Sequence, residues 1–275
     1  MSDFLQQMAA SSRARCDAAR AQVSLATLTD RAEHSPPPCQ PDWHPDFALI
    51  AEIKARSPAL GRLADSDTID RARLGQSYVD AGASAVSVLT EPDKFDGQLA
   101  HLAEVSVALS GSAPAMRKDF LVDPYQVIEA RVCGAGGVLL IAAMLDDQTL
   151  LEMLLCAQRF GLFVLLECFD RDDLERCHRL LSRDAANSMA ANAQLLIGIN
   201  TRNLRTLDVD ATRLETLAAH LPKSVRCVAE SGLVVPEDAA RVVAMGYDVA
   251  LIGTALMRSE DPGATVRAFI AAGRD

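Results

Sequence analysis

The chain has 275 residues, 49% of them apolar and 4% aromatic, with a formal net charge of −10. That length and apolar content suit one large α/β domain with a sizeable core, and the acidic balance without a Lys/Arg-rich stripe argues against nucleic acid as a partner. No apolar run reaches the roughly 18 residues that a membrane helix needs, so no membrane partner is expected. The seven cysteines are scattered without a C-x-x-C pair, which reads as reduced thiols in a cytoplasmic protein.

Residues 4–10 are too short and polar for the apolar stretch of a secretory signal, and Arg13 and Arg15 follow them. Residues 3–29 read as one or two helices: Ser2 or Asp3 can cap the start, Phe4, Leu5 and Met8 fall at helical spacing, and Val23, Leu25 and Leu28 follow. Residues 35–45, SPPPCQPDWHP, carry five prolines, which neither continue a helix nor form a central strand. The expected division is therefore an N-terminal helical extension with its Pro-rich connector over 1–45 and a barrel over 46–275.

From residue 49 the chain repeats one pattern, an apolar run ending in a polar residue or glycine and then an amphipathic helix. Strands are predicted at 49–54, 85–90, 115–118, 137–142, 163–167, 195–200, 226–230 and 249–253, with helices between them such as 68–81, 124–133, 146–160 and 236–245. Several helices end at a glycine just before the next strand, at Gly82, Gly134, Gly161 and Gly246, as helix C-caps favour. Nearly continuous apolar strands are buried on both faces, so the pattern predicts a closed parallel (β/α)8 TIM barrel with an N-terminal helical extension. The rival, an open doubly wound sheet, normally begins with G-x-G-x-x-G after its first strand, and here the first strand runs into KARSPALG.

Polar residues gather at the C-terminal ends of the predicted strands: Glu52 and Lys54, Glu91, Lys118 and Asp119, Glu167, Asn200 and Arg202, Glu230 and Ser231, Gly253 and Thr254. In a barrel that rim is the active-site face. Alternation along the first strand points Glu52 and Lys54 the same way; the bland alternative is an ion pair on an exposed strand. The stretches AESG (229–232) and LIGTALM (251–257) each place Ser or Thr with Gly between a strand and a helix. Exposed backbone N–H groups there, backed by a helix dipole, suit a phosphate, and Ser57 can add a hydroxyl. Cations Lys54, Lys118 and Arg202 mixed with carboxylates Glu52, Glu167 and Glu230 suit proton transfer on an anionic substrate; the alternative is a set of neutralising pairs that hold the mouth together. Cys177-His178 has no further ligand near it in sequence, so no metal is assigned.

Glu52-Ile53-Lys54 with Ser57-Pro58 resembles the signature of indole-3-glycerol phosphate synthase. The likeness continues in order through SVLTEPDKFDGQ, MRKDFLVDPYQVIEAR, VLLIAAML, GINTRNL, AESGL and GYDVALIGTALMR, and more loosely through DFL and VSLATL before the barrel. The resemblance implies a carboxy-lyase of tryptophan biosynthesis. It would convert 1-(2-carboxyphenylamino)-1-deoxyribulose 5-phosphate to indole-3-glycerol phosphate, without metal or coenzyme. It implies Lys118 as the general acid at the ribulose carbonyl, Glu167 as a partner in the later dehydration, and Glu52 as a positioning or relay group. Lys54 would face the substrate carboxylate and assist ring closure or dehydration. Asn200 and Arg202 would hold the anthranilate carboxylate and hydroxyl groups, and Phe95, Phe120 and Leu204 the benzene ring. Ser57, Ser231, Gly232, Gly253 and Thr254 would cradle the phosphate, with Glu230 orienting the lysines. The expected partner is a small phosphorylated molecule, and the expected state a monomer or weak homodimer.

The sequence departs from the family pattern at Ala55, Ala59, Gly136, Cys168-Phe169, Thr201 and a longer link over 187–192. A neighbouring possibility, phosphoribosylanthranilate isomerase, would need a Cys base at the end of the first strand, where Glu52 and Lys54 stand. A barrel kept only for ligand binding or scaffolding would lack the acid–base groups, and Lys118 and Glu167 are present.

Overall fold

The computed structural model describes residues 4–57, 61–63, 66, 68–204, 209–210 and 212–275, with the side chain of Ser57 outside it. The proposed cap at Ser2 or Asp3, and positions Pro58 and Ala59, lie outside the described residues. The chain opens with two helices, α1 (Phe4–Gln22) and α2 (Leu25–His34). Ser24 ends the first and caps the second, its hydroxyl accepting from Thr27 N at 3.2 Å. The second helix runs past the expected end at residue 29 to His34, just before the prolines begin.

Strand β1 (Ala48–Ile53) follows the connector, and then a short antiparallel ribbon of β2 (Arg56–Ser57) and β3 (Gly61–Arg62), absent from the sequence reading. The remaining strands are β4 (Ala85–Leu89), β5 (Ala115–Lys118), β6 (Gly137–Ile141), β7 (Phe163–Cys168), β8 (Leu195–Asn200), β9 (Arg226–Glu230) and β10 (Val249–Ile252). With β1 they form a closed parallel ring in the order β1-β10-β9-β8-β7-β6-β5-β4. The helices after the connector are α3 (Arg71–Asp80), α4 (Pro92–Phe95), α5 (Leu99–Ala108), α6 (Pro124–Val132), α7 (Asp147–Arg159), α8 (Arg171–Leu181), α9 (Asp184–Ala191), α10 (Arg213–Ala218), α11 (Glu237–Ala244), α12 (Thr254–Met257) and α13 (Pro262–Arg274). Asp70, Asp123 and Asp146 cap three of them, so the helices expected from residues 68 and 146 start at 71 and 147. Gly82, Gly134, Gly161 and Gly246 all take positive φ at the ends of helices, where a β-carbon would be strained. Among the described residues no helix is long and apolar enough to cross a membrane.

Strand alternation divides the core in two. Ile50, Ala85, Met116, Leu139, Leu165 and Val228 fill the barrel interior, while Leu49, Ala51, Val86, Val138, Leu166 and Ile197 pack outward under the helices. The connector closes the N-terminal end. Trp43 meets Phe163 edge to face at 5.5 Å, and its indole N–H donates to Ala193 O at 3.1 Å. A β-carbon on Gly136 would stand 2.5 Å from Cys39 O of the connector, which is the steric reason that glycine, not aspartate, fits there. At the other end α1 lies across the mouth, burying Leu5 and Met8 in the interior cluster, each worth roughly 1.5–3 kcal/mol if fully removed from water.

Candidate active site

Four alternate strands, β1, β5, β7 and β9, bring Glu52, Lys118, Glu167 and Glu230 to one level of the barrel interior. Layers of four side chains from every second strand are the ordinary way such a barrel fills, and here the uppermost layer is charged. The Lys118 ammonium lies 3.1 Å from Glu230 Oε2, 3.6 Å from Glu167 Oε2 and 3.7 Å from Glu52 Oε2. Lys54, two residues after Glu52, pairs with the other oxygen of that carboxylate at 2.7 Å. This is the shared face expected from alternation, and it is at the mouth of a cavity, not on an exposed strand. Gly198 on β8 makes room, because a β-carbon there would collide with Glu230 Oε1. Gly253 does the same for Glu52.

Burial opposes the charge on Lys118, but the carboxylates of Glu230, Glu167 and Glu52 outweigh it and hold the ammonium above its ordinary pKa. For Glu52 burial favours the neutral acid, and Lys54 and Lys118 overcome it to keep the carboxylate below its usual range. Glu230 goes the other way. Burial first, and then the charge of Glu167, push it well above the usual carboxylate range, with Lys118 offsetting only part. Such a layer can keep a proton donor loaded at neutral pH beside a base.

The cavity over this layer has a volume of about 240 Å³. Phe95, Phe120, Leu204, Leu139, Ile141 and Leu251 supply its apolar lining. Phe120 stacks against Phe95 at 6.1 Å and against Phe4 of α1, edge on, at 5.9 Å. Asn200 and Arg202 line the cavity as well. The Asn200 side-chain oxygen accepts from Arg202 N at 3.0 Å, which turns the amide NH2 to other acceptors. Burial lowers the Arg202 pKa from its ordinary value, far from any loss of charge at neutral pH.

Ser231 and Gly232 after β9, and Gly253 and Thr254 after its neighbour β10, line one side of the cavity. Ser231 and Gly232 both have positive φ, at 66° and 80°, a region that glycine enters freely and serine rarely. The helix behind Gly253 is a single turn, α12, so its dipole is small and the N–H groups themselves must supply the attraction for an anion.

Fourteen of the residues singled out from sequence line this one cavity: Glu52, Lys54, Phe95, Lys118, Asp119, Phe120, Glu167, Asn200, Arg202, Leu204, Ser231, Gly232, Gly253 and Thr254. Ser57 has its backbone in the ribbon, and its side chain lies outside the described residues. Glu230 is wholly buried behind Lys118 and does not line the cavity. Glu91, which sequence placed on the rim, caps α4 instead, accepting from the backbone of Asp93, Lys94 and Phe95; it thereby fixes Phe95. Of the Cys168-Phe169 departure, Cys168 packs outward and meets Cys177 at 3.3 Å between buried thiols, while Phe169 is buried in the interior cluster with Phe120 and Leu204. Sequence reasoning missed Gly198, although a lone glycine inside an apolar strand signals close approach. It also missed Arg15, which no local pattern connects to Asp119. Among the described residues no cluster of His, Cys, Asp or Glu is arranged to hold a metal ion.

A model of the indole-3-glycerol phosphate synthase family matches residues 5–269. The chain belongs to the indole-3-glycerol phosphate synthase family. Its relatives include the indole-3-glycerol phosphate synthase of Parafrankia sp. (strain EAN1pec), 41% identical over 92% of this chain and 89% of that one. That of Roseiflexus sp. (strain RS-1) is 37% identical over 97% and 98% of the two chains. Solved structures at lower identity share the fold alone. They include 3-hexulose-6-phosphate synthase from Salmonella typhimurium, with TM-score 0.60 and 15% identity over 82% of this chain and 98% of that one. A phosphoribosyl anthranilate isomerase follows at TM-score 0.54 and 12% identity, over 82% and 98%. Membership of the synthase family agrees with a first barrel strand that ends in Glu52 and Lys54.

Proposed function

We propose that the chain is an indole-3-glycerol phosphate synthase of tryptophan biosynthesis, a carboxy-lyase. It closes the ring of 1-(2-carboxyphenylamino)-1-deoxyribulose 5-phosphate and releases carbon dioxide and water. The observation that carries this reading is the Lys118 ammonium, held among Glu230, Glu167 and Glu52 in a cavity lined by both apolar and polar side chains.

In this reading the benzene ring lies against Phe95, Phe120 and Leu204, the anthranilate carboxylate and sugar hydroxyls meet Asn200 and Arg202, and the phosphate lies at Ser231, Gly232, Gly253 and Thr254, with Ser57 able to add its hydroxyl. When the aromatic carbon attacks the ketone, negative charge grows on the carbonyl oxygen. An ammonium with a raised pKa keeps its proton until a more basic alkoxide forms beside it, and then delivers it; a placed acid of this kind is worth roughly a hundred- to ten-thousand-fold. Loss of carbon dioxide restores the aromatic ring, so the electrons have a destination within the substrate. Dehydration then needs an acid at the leaving hydroxyl and a base across the new ring, roles that this reading gives to Glu167 and to the Glu52–Lys54 pair. Lys54 assists ring closure or dehydration from its place beside the substrate carboxylate.

The chain acts on this small phosphorylated substrate in the cytoplasm, as a monomer or weak homodimer; sedimentation over a range of concentrations tests the last point. The activity itself is tested by following indole fluorescence when the purified protein meets the synthetic substrate without added metal. A fluorescent product with the chromatographic behaviour of indole-3-glycerol phosphate is expected, and a protein that binds the substrate but never forms it overturns the assignment.

A further inference from the structure

Glu230 is the least accessible member of the charged layer, with no exposed surface. Its Oε2 accepts from Lys118 at 3.1 Å. Its Oε1, and Oε1 of Glu167, are both buried without a hydrogen-bond partner, while the other oxygens of the two carboxyl groups meet the same Lys118 ammonium, at 3.1 and 3.6 Å. Two carboxylates sharing one ammonium repel, and each would leave a buried oxygen unpaired, which is costly away from water. One proton between them answers both defects.

The layer that holds Glu230 contains Lys118 from β5, Glu167 from β7, Glu52 from β1 with Lys54 just beyond that strand, and uncharged Gly198 and Asn200 from β8. Two ammonium groups among three carboxylates leave one negative charge in excess. The layer is neutral when one of the three acids keeps its proton, and the two orphaned oxygens locate that proton between Glu230 and Glu167. Burial and the neighbouring charge of Glu167 act on Glu230 in the same sense.

We propose that Glu230 is a carboxylic acid in the resting enzyme and works as a bridge, accepting from Lys118 with one oxygen and donating to Glu167 with the other. It is a positioning residue. Through it the general acid of ring closure and the partner in dehydration are held in one hydrogen-bonded chain, and Glu167 keeps its charge while presenting its other oxygen to the cavity. This rests on the proposed function only for the names of those two roles; the proton itself does not.

The test has two parts. Infrared spectra of the unliganded protein at neutral pH, compared between wild type and Glu230→Gln, should show a protonated-carboxyl stretch that the variant lacks. Absence of the band in wild type, or its persistence in the variant, overturns the proposal. Should Glu230→Gln fail to fold, Glu167→Gln takes its place: without the neighbouring charge Glu230 ionises against Lys118, and the band is lost. In the kinetic part, an amide can make both hydrogen bonds of the neutral acid. Glu230→Gln should therefore lose less than about tenfold in kcat, and Glu230→Ala about a hundredfold or more. Equal losses in the two variants would mean that the charge of Glu230, not its bridging, is what matters, and would overturn the proposal. The infrared part uses no substrate, so its failure leaves the synthase reading intact, and a chain without synthase activity leaves the infrared result intact.

Discussion

Arg15, on the helix that precedes the barrel, grips Asp119 by both carboxylate oxygens, at 2.8 and 2.9 Å. Asp119 is the residue between Lys118 and Phe120, and it also accepts from Thr90, Arg117 and the backbone of Phe120. The N-terminal helix is thereby fastened to the strand end that carries Lys118. Replacing Arg15 with Met keeps the apolar stem and removes the fork. We expect a loss of roughly 1.5–3 kcal/mol in stability, read by urea unfolding, and a lower kcat as the end of β5 loosens. A midpoint and kcat equal to wild type would show that the helix is held by its apolar contacts alone.

The same carboxylate sets an acid limit on stability. Burial raises the Asp119 pKa, but Arg15, Arg117 and the Phe120 N–H outweigh it and hold it at about 2, against an ordinary 3.8. The folded state therefore binds this proton less readily than the unfolded chain. The contribution, about 2 kcal/mol, is complete above the unfolded value and is lost as pH falls from about 4 through about 2. In urea titrations across that window the wild type should lose more stability than Arg15→Met, whose Asp119 is less depressed. Parallel curves would contradict the assignment.

Lys118→Ala is expected to abolish turnover, with at least a hundredfold loss in kcat, roughly the worth of a placed acid. Binding of a phosphate-bearing substrate analogue should remain detectable by calorimetry, because Ser231, Gly232, Gly253 and Thr254 are untouched. Undiminished turnover would remove Lys118 from the role of acid.

Ser231→Asp places a carboxylate at the proposed phosphate site. Asp tolerates the left-handed region well, and Ser231 already sits there at φ 66°, so the change is chiefly one of charge. The Michaelis constant should rise about tenfold or more while the fold is retained, with an increase that shrinks at high salt. An unchanged constant would move the phosphate elsewhere.

Gly198→Ala probes the space behind the layer. The added methyl would collide with Glu230 Oε1 and stand 2.9 Å from Leu165 Cδ1. A cost of roughly 1–3 kcal/mol in stability is expected from overpacking, together with a fall in kcat as Glu230 is pushed from Lys118. A fully active, equally stable variant would show that the layer tolerates rearrangement.

The barrel was legible because buried parallel strands leave a crude signal, an apolar run closed by a glycine-capped helix, repeated around the ring. The rim was legible because alternation fixes which side chains share a face, as for Glu52 and Lys54. What stayed hidden depends on distance in the chain. Nothing in the local pattern separates Glu91, which caps a one-turn helix, from Glu167, which faces the cavity; both are acidic residues at strand ends. Nor could spacing join Arg15 to Asp119, since 104 positions separate them and only the closed fold makes them neighbours. The ribbon after β1 was missed because two-residue strands carry no periodicity.

The charged layer draws its members from β1, β5, β7 and β9, and the last strand, β10, hydrogen-bonds to both β1 and β9. A nascent chain emerging from the ribosome holds Glu52 and Lys118 early, but they have no common ring until the carboxyl-terminal quarter has been translated and the seam is sewn. The charged layer is thus a property of the closed ring, and a polypeptide that stops short of β10 lacks the seam that joins β1 to β9.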